Sequence, residues 1–364
     1  MLPENLWDAE NNKIKSRHPN SKRLNSFIAN KYTELQDHVF EHETITKSLS
    51  SRNLKEKIYG KAAADFFSLA DDVCERYLRE EKIGTHGKAI AILNKLKEYV
   101  NNKSITFSDI TPEFLEKYED HLRIHHHNKV NTIHRDMKFF RMLYNEAYRR
   151  NLIEHHQIPF LRYKIRQEKT ERTFLTEEEL LKIESLNLKN EMPIEAHRDM
   201  FVFACYCGGL RVSDVLQLRW ENFDGHHINL TIRKTRQQLS IKIPDKALAI
   251  ILKYKPKKIK PEEFIFPVLS IDLNFDDARA VAWAISRATA YVNKNLKRIA
   301  KKSGISKNIH FHVSRHSWAV RALRKGISID KVSKLMGHSA IKETMVYAKI
   351  MSEELDRAME IFNE

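Results

Sequence analysis

The sequence contains few residues that break helices or crosslink chains. Its 364 residues include nine glycines and nine prolines, which predicts a mostly helical protein with few long loops. Three cysteines give no disulfide framework, and Cys205 and Cys207 lie in an apolar run where we expect buried thiols. No stretch reaches the roughly 18 apolar residues of a membrane span, and the amino terminus has no signal pattern. These absences favour a cytoplasmic protein without a membrane partner.

Positive charge, by contrast, is abundant. The chain has 63 Lys and Arg against 48 Asp and Glu, a net charge of +15. Between His121 and Arg172 there are twelve Lys or Arg and five Asp or Glu, so nearly half of the excess lies in a seventh of the length. A surplus concentrated in this way favours a phosphate-tracking surface and a nucleic-acid partner. A generally Lys-rich surface is the plainer alternative.

Apolar spacing and composition divide the chain into four parts. The first is polar and contains one amphipathic helix, the second is a small helical bundle, the third is a basic linker, and the fourth is a larger, mostly helical domain. They cover residues 1–60, 61–152, 153–173 and 174–364. The predicted fold class is therefore mainly α, with a helical bundle and a mixed, mostly α-helical domain that contains a small antiparallel β-hairpin.

Local signals place several of these elements. Thr111 followed by proline, and Thr176 followed by three glutamates, each predict a capped helix start, and Thr85 predicts another. Residues 227–232 and 239–243 alternate apolar and polar side chains with a period of two, which predicts a hairpin with a basic turn.

Four short segments of the larger domain stand out. They are Gly-Gly-Leu-Arg-Val-Ser-Asp at 208–214, Lys234 in the hairpin turn, His-Val-Ser-Arg-His at 312–316, and Leu-Met-Gly-His-Ser at 335–339 followed by Tyr347. Each segment alone has an ordinary interpretation: a surface ion pair, a lysine at a strand edge, two histidines on one helix face, or a core tyrosine. Their joint occurrence in this order is far less expected by chance.

In this combination the sequence resembles the tyrosine recombinase, or phage integrase, family over about residues 60–364. The style of the motifs is similar to integrases of Bacteroidetes mobile and conjugative elements. The resemblance implies a set of catalytic residues, which fall on Arg211, Lys234, His312, Arg315, His338 and Tyr347. It also implies that Asp214 orients Arg211 and that His338 hydrogen-bonds the phosphate. His316 is interpreted as a structural neighbour of the site.

These residue types suit the transfer of a phosphodiester. By the resemblance, Tyr347 would form a 3′-phosphotyrosyl link that keeps the bond energy available for rejoining. Arg211 and Arg315, planar and permanently charged, would stabilise the transition state. His312 would act as general base, and Lys234 would protonate the departing 5′ oxygen. Because two arginines take the part that a metal ion plays elsewhere, we expect no metal and no other cofactor.

The resemblance also implies how DNA is bound. Residues 61–152 would be a core-DNA-binding domain that closes around the duplex with the catalytic domain. The expected partners are double-stranded DNA, further copies of the chain in a tetramer on paired sites, and accessory DNA-bending or excision proteins. The side chains expected to contact DNA are Asn131, Thr132, Arg135, Lys138, Arg233 and Arg236.

Two regions depart from the family pattern or stand outside it. Residues 1–60 are interpreted as the remnant of an arm-binding region followed by a helix, with the arm strands expected to be absent. The run His125–His127 is interpreted as a solvated helix end, because no carboxylate or cysteine accompanies it at metal-binding spacing.

The main functional prediction is an enzyme, a site-specific recombinase that integrates or excises a mobile element. Two alternatives stay open. One is a DNA-binding protein of the same fold that has lost catalysis, and the other is a type IB topoisomerase, which shares the chemistry but does not pair sites.

Overall fold

A computed structural model of the chain describes residues 6–8, 11–45, 64–170, 172–188, 191–233, 235–270, 272–348, 359 and 362. The chain divides into two compact units. One consists of residues 1–74 and 89–167, and the other of residues 75–88 and 168–364.

The first unit opens with a short antiparallel pair of strands, β1 (Trp7–Asp8) and β2 (Lys13–Ile14), with Trp7 opposite Ile14. Strands are therefore present in the region where the sequence led us to expect none. The helix predicted in this region is confirmed as α1 (Ser21–Ile45). The side chain of Asn25 in α1 fixes the second strand: the Ile14 amide donates to Asn25 Oδ1 at 2.7 Å, and Asn25 Nδ2 donates to the Ile14 carbonyl at 2.9 Å.

Four helices lie in the described residues 64–149, of which residues 75–88 belong to the second unit, and two short 3₁₀ turns come after them. The helices are α2 (Phe66–Arg79), α3 (Ile83–Tyr99), α4 (Pro112–Ile124) and α5 (Val130–Arg149), and the turns are His155–Gln157 and Pro159–Leu161. The cap predicted at Thr111 is confirmed, since its side chain accepts from the Phe114 amide at 3.2 Å. The prediction for Thr85 is wrong, because α3 begins two residues earlier and Thr85 lies within its first turn.

Buried aromatic rings form the core of the bundle. The ring of Phe66 lies 5.1 Å from that of Phe107 and 5.7 Å from that of Phe140, and the ring of Tyr144 lies 4.9 Å from Phe107. Tyr144 is fully buried, and its hydroxyl donates to the backbone carbonyls of Phe107 at 2.7 Å and Ile110 at 3.2 Å. The loop before α4 is therefore tied to α5 through one phenol.

The second unit is mostly helical and contains one hairpin, as predicted. Its helices are α6 (Glu177–Glu184), α7 (Met192–Tyr206), α8 (Val212–Leu216), α9 (Asp245–Lys253), α10 (Ala278–Lys302), α11 (His312–Arg324), α12 (Ile329–Leu335) and α13 (Met345–Ala348), with 3₁₀ turns at Trp220–Asn222 and Ile341–Glu343. The strands β3 (His227–Thr231) and β4 (Gln238–Lys242) pair antiparallel, with His227 opposite Lys242. No helix in the described part of the chain is long and apolar enough to cross a membrane.

Helix α7 lies at the centre of this unit, because its apolar and polar faces are both covered. It contacts α6, α9, α10 and α11, and it is buried from Ile194 to Cys205. Cys205 and Cys207 are fully buried, as the sequence predicted. Thr176 caps α6 as predicted, in a reciprocal capping box with Glu179. The two helices that carry the histidine and tyrosine motifs, α11 and α13, also contact each other.

We expect Tyr144→Phe to lower the free energy of unfolding by about 1–3 kcal/mol, because it leaves two buried carbonyls without their donor. Tyr148→Phe is the matched control: Tyr148 lies on the same helix with its side chain 46% exposed, so a change within about 0.5 kcal/mol is expected. Urea unfolding followed by circular dichroism measures both. Equal effects in the two variants would contradict the role given to the Tyr144 hydroxyl.

Candidate active site

A turn of two glycines brings the segment 208–214 against α11, the helix that contains the segment 312–316. After α7 the chain turns at Gly208 and Gly209, whose φ angles are +64° and +61°. A Cβ added at Gly209 would lie 3.0 Å from the Cα of Arg315, so a side chain there would push the two segments apart. Arg211 then occupies the N-cap position of the short helix α8, and its charge acts on Arg315 in α11.

Arg211 and Asp214 are held at opposite ends of one helical turn. Asp214 is buried, and its Oδ1 accepts from the backbone N–H of Arg233 at 3.4 Å. Burial raises the pKa of Asp214, and the positive charge of Arg211 opposes that shift. Nη1 of Arg211 is shielded from solvent and has no hydrogen-bond partner among the described residues. A buried guanidinium N–H without an acceptor is a ready donor for an anion.

Arg315 connects two motifs through its guanidinium. The side chain is 2% exposed, with Nη1 donating to the Gly209 carbonyl at 2.8 Å and Nη2 donating to the Met336 carbonyl at 2.7 Å. Burial, followed by the charge of Arg211, lowers the pKa of Arg315 to about 10. The group therefore stays positively charged at neutral pH.

Tyr347 lies inside the site in contact with a histidine. Its side chain is 4% exposed, and its hydroxyl lies 2.9 Å from Nδ1 of His316. Burial raises the pKa of Tyr347, while the charges of Arg315, Arg172 and Arg211 act to lower it. Burial, with His312 next to it, lowers the pKa of His316 to about 3. A neutral imidazole at neutral pH can accept the phenol proton if Nδ1 is the unprotonated ring nitrogen.

His312 is the first residue of α11, and its side chain keeps an exposed face. Its ring lies 4.6 Å from the ring of His316 and perpendicular to it. Desolvation of the covered side, followed by the charge of Arg315, lowers the pKa of His312 to about 4. The sequence assigned the contact with Tyr347 to His312 and treated His316 as structural. In the structure, the imidazole hydrogen-bonded to the tyrosine is that of His316.

The segment that carries His338 packs against the base of the hairpin turn. Gly337 has a φ of +59°, and a Cβ there would lie 1.9 Å from Cδ1 of Ile232, so no side chain fits at this position. His338 is half-buried, with Nδ1 2.7 Å from Oγ1 of Thr344 and Nε2 3.9 Å from Oε2 of Glu343. Lys234 lies outside the described residues, while Arg233 and Arg236 on either side of it are exposed.

One charged residue near the site was missed in the sequence. The positive charge of Arg172 acts on His312, His316 and Tyr347 in the direction of a lower pKa. Arg172 is exposed just before the larger domain. Arg172 is one of several arginines in the basic linker 153–173 and belongs to no recognisable motif. The only signal in the sequence was the concentration of positive charge in that linker.

Four of the six side chains expected to contact DNA lie in α5. Arg135 and Lys138 are exposed, whereas Asn131 and Thr132 are half-buried. Arg135 also donates to Oδ1 of Asp136, a buried carboxylate that pairs with Lys95.

Five of the six predicted catalytic residues, all except Lys234, therefore lie in the second unit together with Asp214, His316 and Arg172. The arrangement combines a buried phenol on a neutral imidazole with several positive charges and one unpaired guanidinium N–H. Such a site is suited to a tyrosine nucleophile and an anionic substrate.

Comparison with known proteins identifies the protein family. Residues 173–354, half of the chain, match the phage integrase family. Residues 65–165 match the phage integrase SAM-like domain, and residues 1–55 match the arm DNA-binding domain. The chain belongs to the phage integrase family.

Two of the curated relatives are named tyrosine recombinases. The tyrosine recombinase of Thermosipho africanus is 28% identical over 184 residues, covering 50% of this chain and 58% of the relative. The tyrosine recombinase XerA of Pyrococcus furiosus is 29% identical over 192 residues, covering 52% and 61%. The chain thus spans about three fifths of the length of these relatives. Neither bears on the resemblance to Bacteroidetes elements, which stays a prediction.

Solved structures share the fold. A lambda integrase dimer bound to a COC′ core site has a TM-score of 0.56 and 19% identity, over 95% of this chain and 93% of that chain. The Tn1549 transposon integrase in complex with circular intermediate DNA has a TM-score of 0.54 and 16% identity, over 78% and 95%. The predicted mainly α fold with a small antiparallel hairpin is confirmed.

The contact between His316 and Tyr347 predicts pH-dependent stability. Because the folded pKa of His316, about 3, lies below its ordinary value of 6.5, its stabilising contribution is present above pH 6.5 and is lost as the pH falls through the folded pKa. For this buried side chain we expect a loss of about 2 kcal/mol between pH 7 and 4.5.

Urea unfolding followed by tryptophan fluorescence tests this at both pH values, since three of the four tryptophans lie in this unit. The wild type should lose more stability on acidification than His316→Asn, which does not titrate there. Parallel losses in the two proteins would contradict the assignment.

Proposed function

We propose that this protein is a site-specific DNA recombinase that cleaves and rejoins DNA strands through a 3′-phosphotyrosyl intermediate, acting in the cytoplasm to integrate or excise a mobile element. The observation that carries the proposal is the hydroxyl of Tyr347, 2.9 Å from a neutral His316, in a site that also holds Arg211 and Arg315. A phenol in that setting is a nucleophile for a phosphodiester, whose charge the two arginines offset.

The reaction would proceed in one displacement. The oxygen of Tyr347 attacks the phosphorus, a new phosphorus–oxygen bond forms, and the bond to the 5′ oxygen breaks. The phenol proton passes to an imidazole, and Lys234 gives a proton to the departing 5′ oxygen. Attack of a 5′-hydroxyl on the phosphotyrosine reverses these steps and rejoins a strand.

The charged residues have separate parts in this scheme. The unpaired Nη1 of Arg211 would donate to one non-bridging oxygen of the phosphate, with Asp214 holding the arginine in place. Arg315 already gives two donors to backbone carbonyls, so it would supply charge and its remaining N–H groups. His338 would hydrogen-bond the phosphate.

Two imidazoles compete for the role of general base. The family pattern assigns it to His312, and the geometry favours His316, whose Nδ1 touches the hydroxyl. We take His316 as the first proton acceptor and His312, at the exposed edge, as the group that faces the phosphate. Both are neutral at neutral pH, which is the form a base requires.

We propose that DNA is held by separate parts of the chain. Residues 61–152 would bind core DNA, with Arg135 and Lys138 on the exposed face of α5 and Asn131 and Thr132 near its start as backbone contacts. Arg233 and Arg236 would contact phosphates next to Lys234. A tetramer on paired sites would complete the reaction, by analogy with the solved structure of a lambda integrase tetramer bound to a Holliday junction. Residues 1–60 would contact arm DNA, in keeping with the match to an arm DNA-binding domain.

Cleavage by Tyr347 can be tested with a nicked duplex that traps the covalent intermediate. The bound sequence is first selected from a pool of random duplexes, then built into the nicked substrate. We expect a slow-migrating band on a denaturing gel that disappears with protease. The band should be absent in Tyr347→Phe and retained in Tyr291→Phe, which removes a half-exposed phenol from the same unit.

The same preparation separates the alternatives. Strand exchange between two DNA molecules supports the recombinase. Relaxation of supercoils without exchange would indicate a topoisomerase. Sequence-selective binding without any covalent band would leave a DNA-binding protein that has lost catalysis.

The two candidate bases can be separated by single-turnover cleavage as a function of pH. We expect His316→Asn to slow cleavage by about 10²–10⁴-fold near neutral pH, with partial recovery at high pH where the phenol ionises unaided. His312→Asn should slow cleavage without that recovery. Normal cleavage by His316→Asn, together with an alkaline-rescued defect in His312→Asn, would return the role to His312.

A further inference from the structure

A cluster of three possible metal ligands lies in the first unit, here called the helical unit, and none of the three takes part in the proposed reaction. Glu98 is in the last turn of α3, His121 is in the last turn of α4, and His126 is in the connection to α5. One potential ligand atom from each lies within 4.8 Å of the other two, and Oε2 of Glu98 is 3.7 Å from Nε2 of His126.

Both ring nitrogens that face this cluster lack a hydrogen-bond partner. Nε2 of His121 and Nε2 of His126 are shielded from solvent, and neither has a partner within hydrogen-bond distance among the described residues. Shielded polar atoms are nearly always paired in folded proteins, so two such nitrogens side by side point to a ligand-binding site. In the tautomer in which both Nε2 atoms are unprotonated, the two nitrogens offer lone pairs to a metal ion.

Two neighbouring rings hold His121 in place. The rings of Tyr99 and His125 lie 4.9 Å and 4.6 Å from its ring.

We propose that Glu98, His121 and His126 bind a divalent transition-metal ion, with Zn²⁺ as the best match, and that a water molecule completes the coordination. Two imidazoles and a carboxylate are ligands that Zn²⁺ accepts, whereas Mg²⁺ and Ca²⁺ prefer oxygen ligands. Tetrahedral Zn²⁺ places its ligand atoms about 3.4 Å apart. The distances here come within reach of that value by small rotations of three side chains.

Such an ion would link three segments of the helical unit. It would tie the end of α3 to the end of α4 and to the connection that leads into α5. The exposed Arg135 and Lys138 follow on α5. The site is therefore structural: it would stabilise this unit and fix the start of the helix proposed to contact DNA, without a part in the proposed chemistry.

The test uses the untagged full chain, stripped with a chelator and titrated with Zn²⁺ by calorimetry and with Co²⁺ by visible absorption. We expect one tight equivalent per chain, a cobalt spectrum of four-coordinate type, and a melting temperature several degrees higher with Zn²⁺. His126→Gln and Glu98→Gln should each weaken binding by at least about tenfold. His127→Gln, which alters an exposed neighbour, should bind like the wild type.

Glu98→Gln guards against misfolding, because its side chain is exposed and its loss leaves the core intact. No saturable equivalent in the wild type would overturn the proposal. Equal affinity in the wild type and in both ligand variants would also overturn it, since the ion would then be bound elsewhere among the 18 histidines. Neither result depends on DNA cleavage, so the proposed recombinase function stands or falls separately.

Discussion

The buried guanidinium of Arg315 is the interaction on which the site in the larger unit depends. It donates to the carbonyl of Gly209 in one motif and to that of Met336 in another, so three segments distant in sequence are held around one charge. A buried arginine of this kind must have acceptors, and backbone carbonyls supply them without neutralising it. The positive charge is therefore retained. Gly209 is needed for the same reason, because a side chain there would meet the backbone of Arg315, and a side chain at Gly337 would clash with Ile232 beside the hairpin turn.

Around that charge, the titratable groups are arranged so that the site is cationic yet holds neutral bases. Asp214 is a buried carboxylate whose charge acts on Arg315, and burial works against the ionisation of Asp214. His312 and His316 stay neutral because the site is desolvated and already positive. The same two causes thus give the site an attraction for anions and keep neutral imidazoles beside Tyr347.

Helix α5 has a buried aromatic face and an exposed basic face. One side carries Phe140 and Tyr144 into the aromatic core, and the other exposes Arg135 and Lys138. Asp136 lies buried between these faces and pairs with Lys95. The connection that leads into this helix contains His126, so the proposed metal site would act at the point where a packed bundle passes into an exposed basic surface.

The sequence by itself determined the helical character, the hairpin and the identity of the motif residues, because these depend on local periodicity, caps and order along the chain. Thr111 and Thr176 were readable as caps, since proline or glutamates follow them at once; Thr85 has no such companion, and its helix begins earlier. Only the tertiary structure decided which side chains touch. Nothing in the spacing distinguishes His312 from His316 as the partner of Tyr347, because both lie on one face of α11 and the choice depends on where α13 packs. The same holds for His126, which the sequence left as part of a solvated helix end: the carboxylate that faces it comes from α3, and folding alone brings the two together.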